Sequence, residues 1–316
     1  MSKYRRCLPQ LDGGLFLTDG GIETTLVFHE GVTLPYFASF DLLKDQSGTA
    51  ILRRYFARYA ELARASQLGI VLETPTWRAN PDWAAKLGHD RASLAAANRR
   101  SVDLLLGIRR EYETADAPIV ISGNLGPRGD GYIPHARMTT PEAEAYHAEQ
   151  IEVFAATAAD MVAALTMNYV EEAAGVARAA RALGMPVAIS FTTETDGTLP
   201  SGATLAEAIE ATDDASGGYP VYYMINCAHP THLSDALAAG GSWRDRVRGL
   251  RANASRRSHK ELDESPDLDE GDPEELGREY RELRGLLRNL SVVGGCCGTD
   301  HRHVAAIAGA MSGVAA

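Results

Sequence analysis

Residues 290–301 read LSVVGGCCGTDH. Leu290 to Gly294 is a short run in which apolar residues follow one another rather than alternate with polar ones, the pattern of a strand buried on both faces. The run breaks at glycines, passes through two adjacent cysteines, and meets Thr299 or Asp300, either of which can cap a last helix running to about residue 312. This is one strand–loop–helix unit. The same pattern recurs upstream, with candidate strands at 15–19 (LFLTD), 69–73 (GIVLE), 118–123 (PIVISG), 160–165 (DMVAAL), 186–191 (PVAISF), 221–226 (VYYMIN) and 247–252 (VRGLRA). Helical periodicity fills the gaps. Leu52, Phe56, Tyr59 and Leu62 share a face of 48–68, and Leu276, Tyr280, Leu283 and Leu287 share one of 273–288. Thr140-Pro141 reads as a helix start, and Thr204 with Glu207 as a capping box.

Eight strand–helix units in 316 residues predict an α/β chain of the (β/α)8 TIM-barrel class, a single domain over 1–316. An open dinucleotide-binding sheet fits less well, because no G-x-G-x-x-G follows the first strand. The strand at 247–252, with two arginines, is the least regular of the eight. The charged stretch 255–274 (SRRSHKELDESPDLDEGDPE) is expected to be a solvated insertion rather than a boundary.

A net charge of −11 argues against nucleic acid or an anionic membrane as the main partner, since both call for a basic face. The N-terminal MSKYRRCLPQLDGG has no apolar core of a secretory signal, and no apolar run reaches membrane-spanning length. A cytoplasmic protein is expected, in which the N-x-S triplets at Asn253 and Asn289 are accidental. No heptad or interface stripe marks an oligomeric state. Four cysteines in a chain of this length make no disulfide scaffold; clustered thiols read as metal ligands or redox groups.

In a parallel barrel the site forms at the C-terminal strand ends. That rule selects Asp19-Gly20-Gly21, Glu73-Thr74, Asn124, Thr192-Thr193-Glu194, Asn226-Cys227 and Cys296-Cys297. Three of the four cysteines therefore share one face, and Cys7 does not. Three thiolates around Zn²⁺ with one position left open is a catalytic arrangement, since a structural site is closed by a fourth ligand. The alternatives are a buried Cys227 thiol and a vicinal disulfide or plain packing at Cys296 and Cys297. Asp19 fits a turn as well as a site, Glu73 faces either the site or a buried partner, and Glu194 lies in a polar loop. Trp77 and Tyr132 read as core or as pocket wall. His229 is a neighbour of the site rather than a ligand, and His301 and His303 are expected in solvent.

LTDGGIETTL at 17–26, MINCAHP at 224–230 and VVGGCCGTD at 292–300 resemble the signature segments of the homocysteine S-methyltransferase family. That family includes zinc-dependent enzymes using S-methylmethionine or betaine, and the homocysteine domain of cobalamin-dependent methionine synthase. The resemblance implies a (β/α)8 barrel with Zn²⁺ on Cys227, Cys296 and Cys297, a substrate site lined by Asp19, Gly20 and Thr74, and Asn226 just ahead of the first ligand. The implied partners are small molecules: a thiol acceptor, homocysteine, which becomes methionine, and a sulfonium or quaternary ammonium donor. Trp77 would hold the donor by cation–π attraction. The chain departs from the family at one point. Aligned on Glu172-Ala173, Leu165 takes the place of an acidic residue associated with the acceptor's amino group. Either Glu73 or Glu194 takes over, or the acceptor lacks that group, as in an onium demethylase using another thiol. A barrel that binds zinc or thiols without catalysis is the remaining alternative.

Overall fold

The computed structural model describes residues 1–135, 137–265 and 267–313. Its eight strands close in sequence order, all parallel, each paired with the next and the last with the first. They are β1 (Phe16–Leu17), β2 (Gly69–Glu73), β3 (Ile119–Leu125), β4 (Met161–Met167), β5 (Val187–Thr192), β6 (Tyr222–Asn226), β7 (Val247–Ala252) and β8 (Val292–Gly295). The expected (β/α)8 barrel is thus present, and β7 occupies the span read from sequence. β1 is shorter than expected, because the chain leaves the sheet before Asp19. β3 runs further, so Asn124 is the penultimate residue of a strand rather than part of a loop.

Consecutive apolar residues bury both faces of each strand. Phe16, Val71, Val120, Met161, Ala163, Ala188, Tyr222, Met224 and Val292 fill the barrel interior. Their neighbours in sequence, such as Ile70, Ile119, Val162, Ile189, Tyr223 and Val293, meet the helices outside. The helices wrapping the barrel include α1 (Gln46–Ala65), α2 (Pro81–Lys86), α3 (Arg91–Tyr112), α4 (Thr140–Ala155), α5 (Val170–Ala182), α6 (Leu205–Ser216) and α7 (Ser234–Ala238). None of the described helices is long and apolar enough to cross a membrane. Side chains accept the free N–H groups at their starts: Asp45 caps α1, Thr139 with Glu142 caps α4, and Thr204 with Glu207 caps α6. α4 thus starts at Thr140, as expected.

As expected, the charged segment is exposed or half-buried at all its described residues but Ser255. It folds into α8 (His259–Asp263), with a Ser258–Glu261 capping box, and returns over the C-terminal mouth of the barrel before α9 (Pro273–Arg284). Local partners explain why so polar a segment is held. The His259 ring stacks on Tyr132 at 4.0 Å, Ser255 Oγ donates to Asp269 Oδ2 at 2.7 Å, and Glu270 meets both His29 (2.6 Å) and Arg302 (2.9 Å). α9 buries Leu276, Tyr280 and Leu283. Tyr280 Oη accepts the Ala252 N–H at 2.8 Å and donates to Gly294 O at 2.5 Å, fastening β7 to β8. Asp300 caps α10 (His301–Ser312). His303 is fully buried rather than solvated, bonded to Asp300 and to Glu270 O. His301 is exposed.

Candidate active site

A cleft of about 490 Å³ opens at the C-terminal mouth, walled by the strand ends and roofed by residues of 255–265 and 267–269. Cys227, one residue past β6, and Cys296 and Cys297, just past β8, line it, with their three sulfurs within 4.8 Å of one another. Cys227 and Cys296 are joined as a disulfide across a Cα–Cα separation of 5.4 Å, and Cys297 is free beside them. The bond therefore runs between strand ends, not between the two neighbours. Cys7 is exposed and outside the cleft.

Two asparagines set the cysteine loops. The Asn226 side chain accepts from the Thr166 N–H (2.8 Å) and Ser190 Oγ (2.6 Å), and donates to Thr166 Oγ1 (2.9 Å) and Cys227 Sγ (3.0 Å). It thereby ties together two residues in the left-handed region, Thr166 (φ 62°) and Cys227 (φ 55°), a conformation that costs non-glycine residues energy and needs such support. Asn253 donates to Cys227 O and accepts the Cys297 N–H, both at 3.1 Å, so one side chain fixes both loops. Glycine is required where the first loop crosses the last, since a Cβ on Gly21 would stand 2.6 Å from Cys296 O.

Below the sulfurs lies a buried ion triad. Arg251 of β7 reaches Asp19 Oδ1 through Nη2 at 2.5 Å and Glu73 Oε2 through Nη1, and Tyr55 donates to Asp19 Oδ2 at 2.9 Å. Burial pushes Glu73 up to about 7 in spite of the guanidinium beside it. Burial disfavours the Arg251 cation too, but the two carboxylates overcome this and hold it above its ordinary value. Glu23 also lines the cleft; its enclosed position, with Asp19 adding, lifts it to about 7 against the opposing pull of Arg78 and Arg251. On the far wall Trp77 donates to Leu165 O at 3.4 Å, and Tyr132 Oη lies 3.9 Å from Cys297 Sγ.

The homocysteine S-methyltransferase family model matches residues 16–311. The chain belongs to this family. It is therefore a methyltransferase, and its fold agrees with three structures of the Escherichia coli homocysteine methyltransferase MmuM. The oxidised form aligns with a TM-score of 0.72 at 20% identity, over 96% of this chain and 97% of that one. The metallated form gives 0.67 at 17% over 96% and 98%, and the apo form 0.62 at 17% over 95% and 99%. No curated protein sequence matches it.

In this methyltransferase the cleft brings together Asp19, Gly20, Glu73, Thr74, Trp77, Asn124, Asn226 and the three cysteines. Glu194 does not line it. It sits in a turn closed by bonds to Thr198 and Gly197, so it cannot stand in at the Leu165 position. Leu165 itself faces the cleft at a bulge of β4. Arg251, Asn253, Glu23 and Arg78 were not singled out by sequence reasoning. For Arg251 and Asn253 the signal was there: polar side chains at the C-terminal end of an apolar strand fall under the same rule that selected Asp19 and Glu73.

Proposed function

We propose that this chain transfers a methyl group from a sulfonium or quaternary ammonium donor to the thiol of homocysteine, with Zn²⁺ held by Cys227, Cys296 and Cys297. The observation that carries this reading is the convergence of three cysteine sulfurs within 4.8 Å at the barrel mouth, in a chain of this family. The donor set fits the ion: three soft thiolates suit Zn²⁺ and leave room for a fourth ligand. Desolvation first and the Glu23 carboxylate second raise the Cys297 thiol above its ordinary value. An external dithiol, itself oxidised to its disulfide, supplies the two electrons and two protons that open the Cys227–Cys296 bond and free the full set.

When bound, Zn²⁺ lowers the pKa of a thiol in its open position and keeps it a thiolate at neutral pH. The protein's own groups do the rest. Asn226 donates to Cys227 Sγ and Asn253 spans the two cysteine loops, which fixes where the acceptor sulfur can stand. Trp77 and Tyr132 line the cleft, each with one ring face already covered, by Arg78 and His259, and the rest of each ring is what a cationic donor could meet. Transfer forms the acceptor S–CH₃ bond as the donor's C–S or C–N bond breaks, and the electron pair leaves with the donor heteroatom. No proton moves in that step, so alignment of the two reactants supplies much of the rate.

The test is metal analysis of the reduced protein, followed by assay of homocysteine against a panel of onium donors. About one zinc per chain is expected, with Cys297→Ser losing most of the metal and activity while keeping its far-ultraviolet circular dichroism. Full turnover by a metal-free chain would overturn the reading.

A further inference from the structure

Among the charged groups lining the cleft, Asp19 and Glu73 are already taken by Arg251 and Tyr55. Two others are not. Glu23 makes no ion pair with any described residue, and its carboxylate is bonded only to its own backbone N–H. Arg78 has no carboxylate within 4.0 Å among the described residues, although it is only 7% exposed. Its Nη1 donates to Gly129 O at 3.0 Å, while Nε is buried without a partner. Trp77 and Trp83 stack on the guanidinium at 4.1 and 3.8 Å, which covers the group's faces and leaves its edge for a ligand. A carboxylate and a guanidinium thus share one cleft, feel each other electrostatically, and yet do not pair. Unpaired charges in such a place are costly until something neutralises them. A molecule bearing one ammonium and one carboxylate neutralises both.

We propose that Glu23 and Arg78 form the slot for the amino-acid end of the thiol acceptor, Glu23 taking its ammonium and Arg78 its carboxylate. This rests on the thiol-transfer reading above and deepens it: the role that Leu165 cannot play is moved to the loop after β1. The placement follows from the backbone. Gly21 N–H donates to Thr299 O at 3.0 Å, and Gly298 N–H donates to Thr24 Oγ1 at 3.0 Å. The turn carrying Glu23 is therefore latched to the residues just after Cys297. Only two methylene groups separate the sulfur of homocysteine from its α-carbon. An acceptor whose sulfur is held at the cysteines must keep its ammonium close to them, which is where Glu23 stands. Leu165, 7% exposed and carrying the carbonyl that Trp77 bonds, then contributes apolar contact to the acceptor's methylenes or to the donor.

The experiment compares two acceptors, homocysteine and 4-mercaptobutyrate, which lacks only the ammonium, using the zinc-loaded, reduced enzyme. Glu23→Gln should raise the homocysteine KM roughly tenfold or more with little change in kcat, and leave the 4-mercaptobutyrate KM unchanged. Arg78→Lys should raise the KM for both. Equal effects of Glu23→Gln on the two thiols, or a rise confined to the donor's KM, would overturn the proposal. A wild-type enzyme that methylates no thiol would refute the transfer reading instead. Calorimetric titration with homocysteine then reads the slot by itself: weaker binding to Glu23→Gln upholds it, and equal binding overturns it.

Discussion

At the scale of single residues, the site depends on polar groups whose reason for being buried lies on other strands. Arg251 looks out of place within VRGLRA, and read along the chain it makes β7 the least convincing strand. In the barrel it is the counter-ion of both Asp19 and Glu73. Sequence could show that each of these residues sits at a strand end. It could not show that three strands put their charges together, because that pairing is a product of barrel closure. Arg251→Met should destabilise the protein by about 3–5 kcal/mol, since it strands two buried carboxylates, and urea denaturation reads the loss directly. Wild-type stability in that variant would mean the triad contributes nothing net. Asn226 and the cysteines were legible for the opposite reason: strand-end position alone marks them, and the Gly-Gly-Cys-Cys-Gly motif is specific.

At the scale of elements, the strands and most caps were readable, because burial on both faces and capping boxes are local properties. The segment 255–274 was readable as exposed but not as ordered. Its composition is that of a solvated loop, and what orders it comes from elsewhere: Tyr132 under His259, and His29 and Arg302 around Glu270. This roof should respond to acid. Burial holds His259 at about 4, below its ordinary value near 6.5. A histidine kept neutral in the fold contributes stability above pH 6.5, and that contribution is lost progressively as pH falls toward 4. Lowering the pH from 6.5 to 5.5 should weaken the roof by on the order of 1 kcal/mol. Faster amide exchange across residues 258–263 would report it, measured relative to the core strands. His259→Phe keeps the stack on Tyr132 and should remove most of the pH dependence; an unchanged dependence would assign it to another group.

At the scale of the whole molecule, the proposed zinc site would couple ion binding to folding, since the three sulfurs come from strand ends that meet in the closed barrel. Reduced protein with free zinc 1,000-fold above its Kd should gain about 4 kcal/mol, seen as a rise in Tm that grows with zinc concentration. Protein with the Cys227–Cys296 bond intact should show almost none of it, and an equal rise in both forms would place the ion elsewhere. The ring is also uneven. β1 contributes two residues, Phe16 and Leu17, to its pairing with both β2 and β8. Fewer ladder bonds hold that junction than any other, so it is the place where the hoop opens most cheaply. Glu23 follows one side of this clasp and Cys296 the other. A small molecule gripped at both would work as a rivet across it, so that loading the acceptor tightens the whole circumference and releasing the product lets it breathe again.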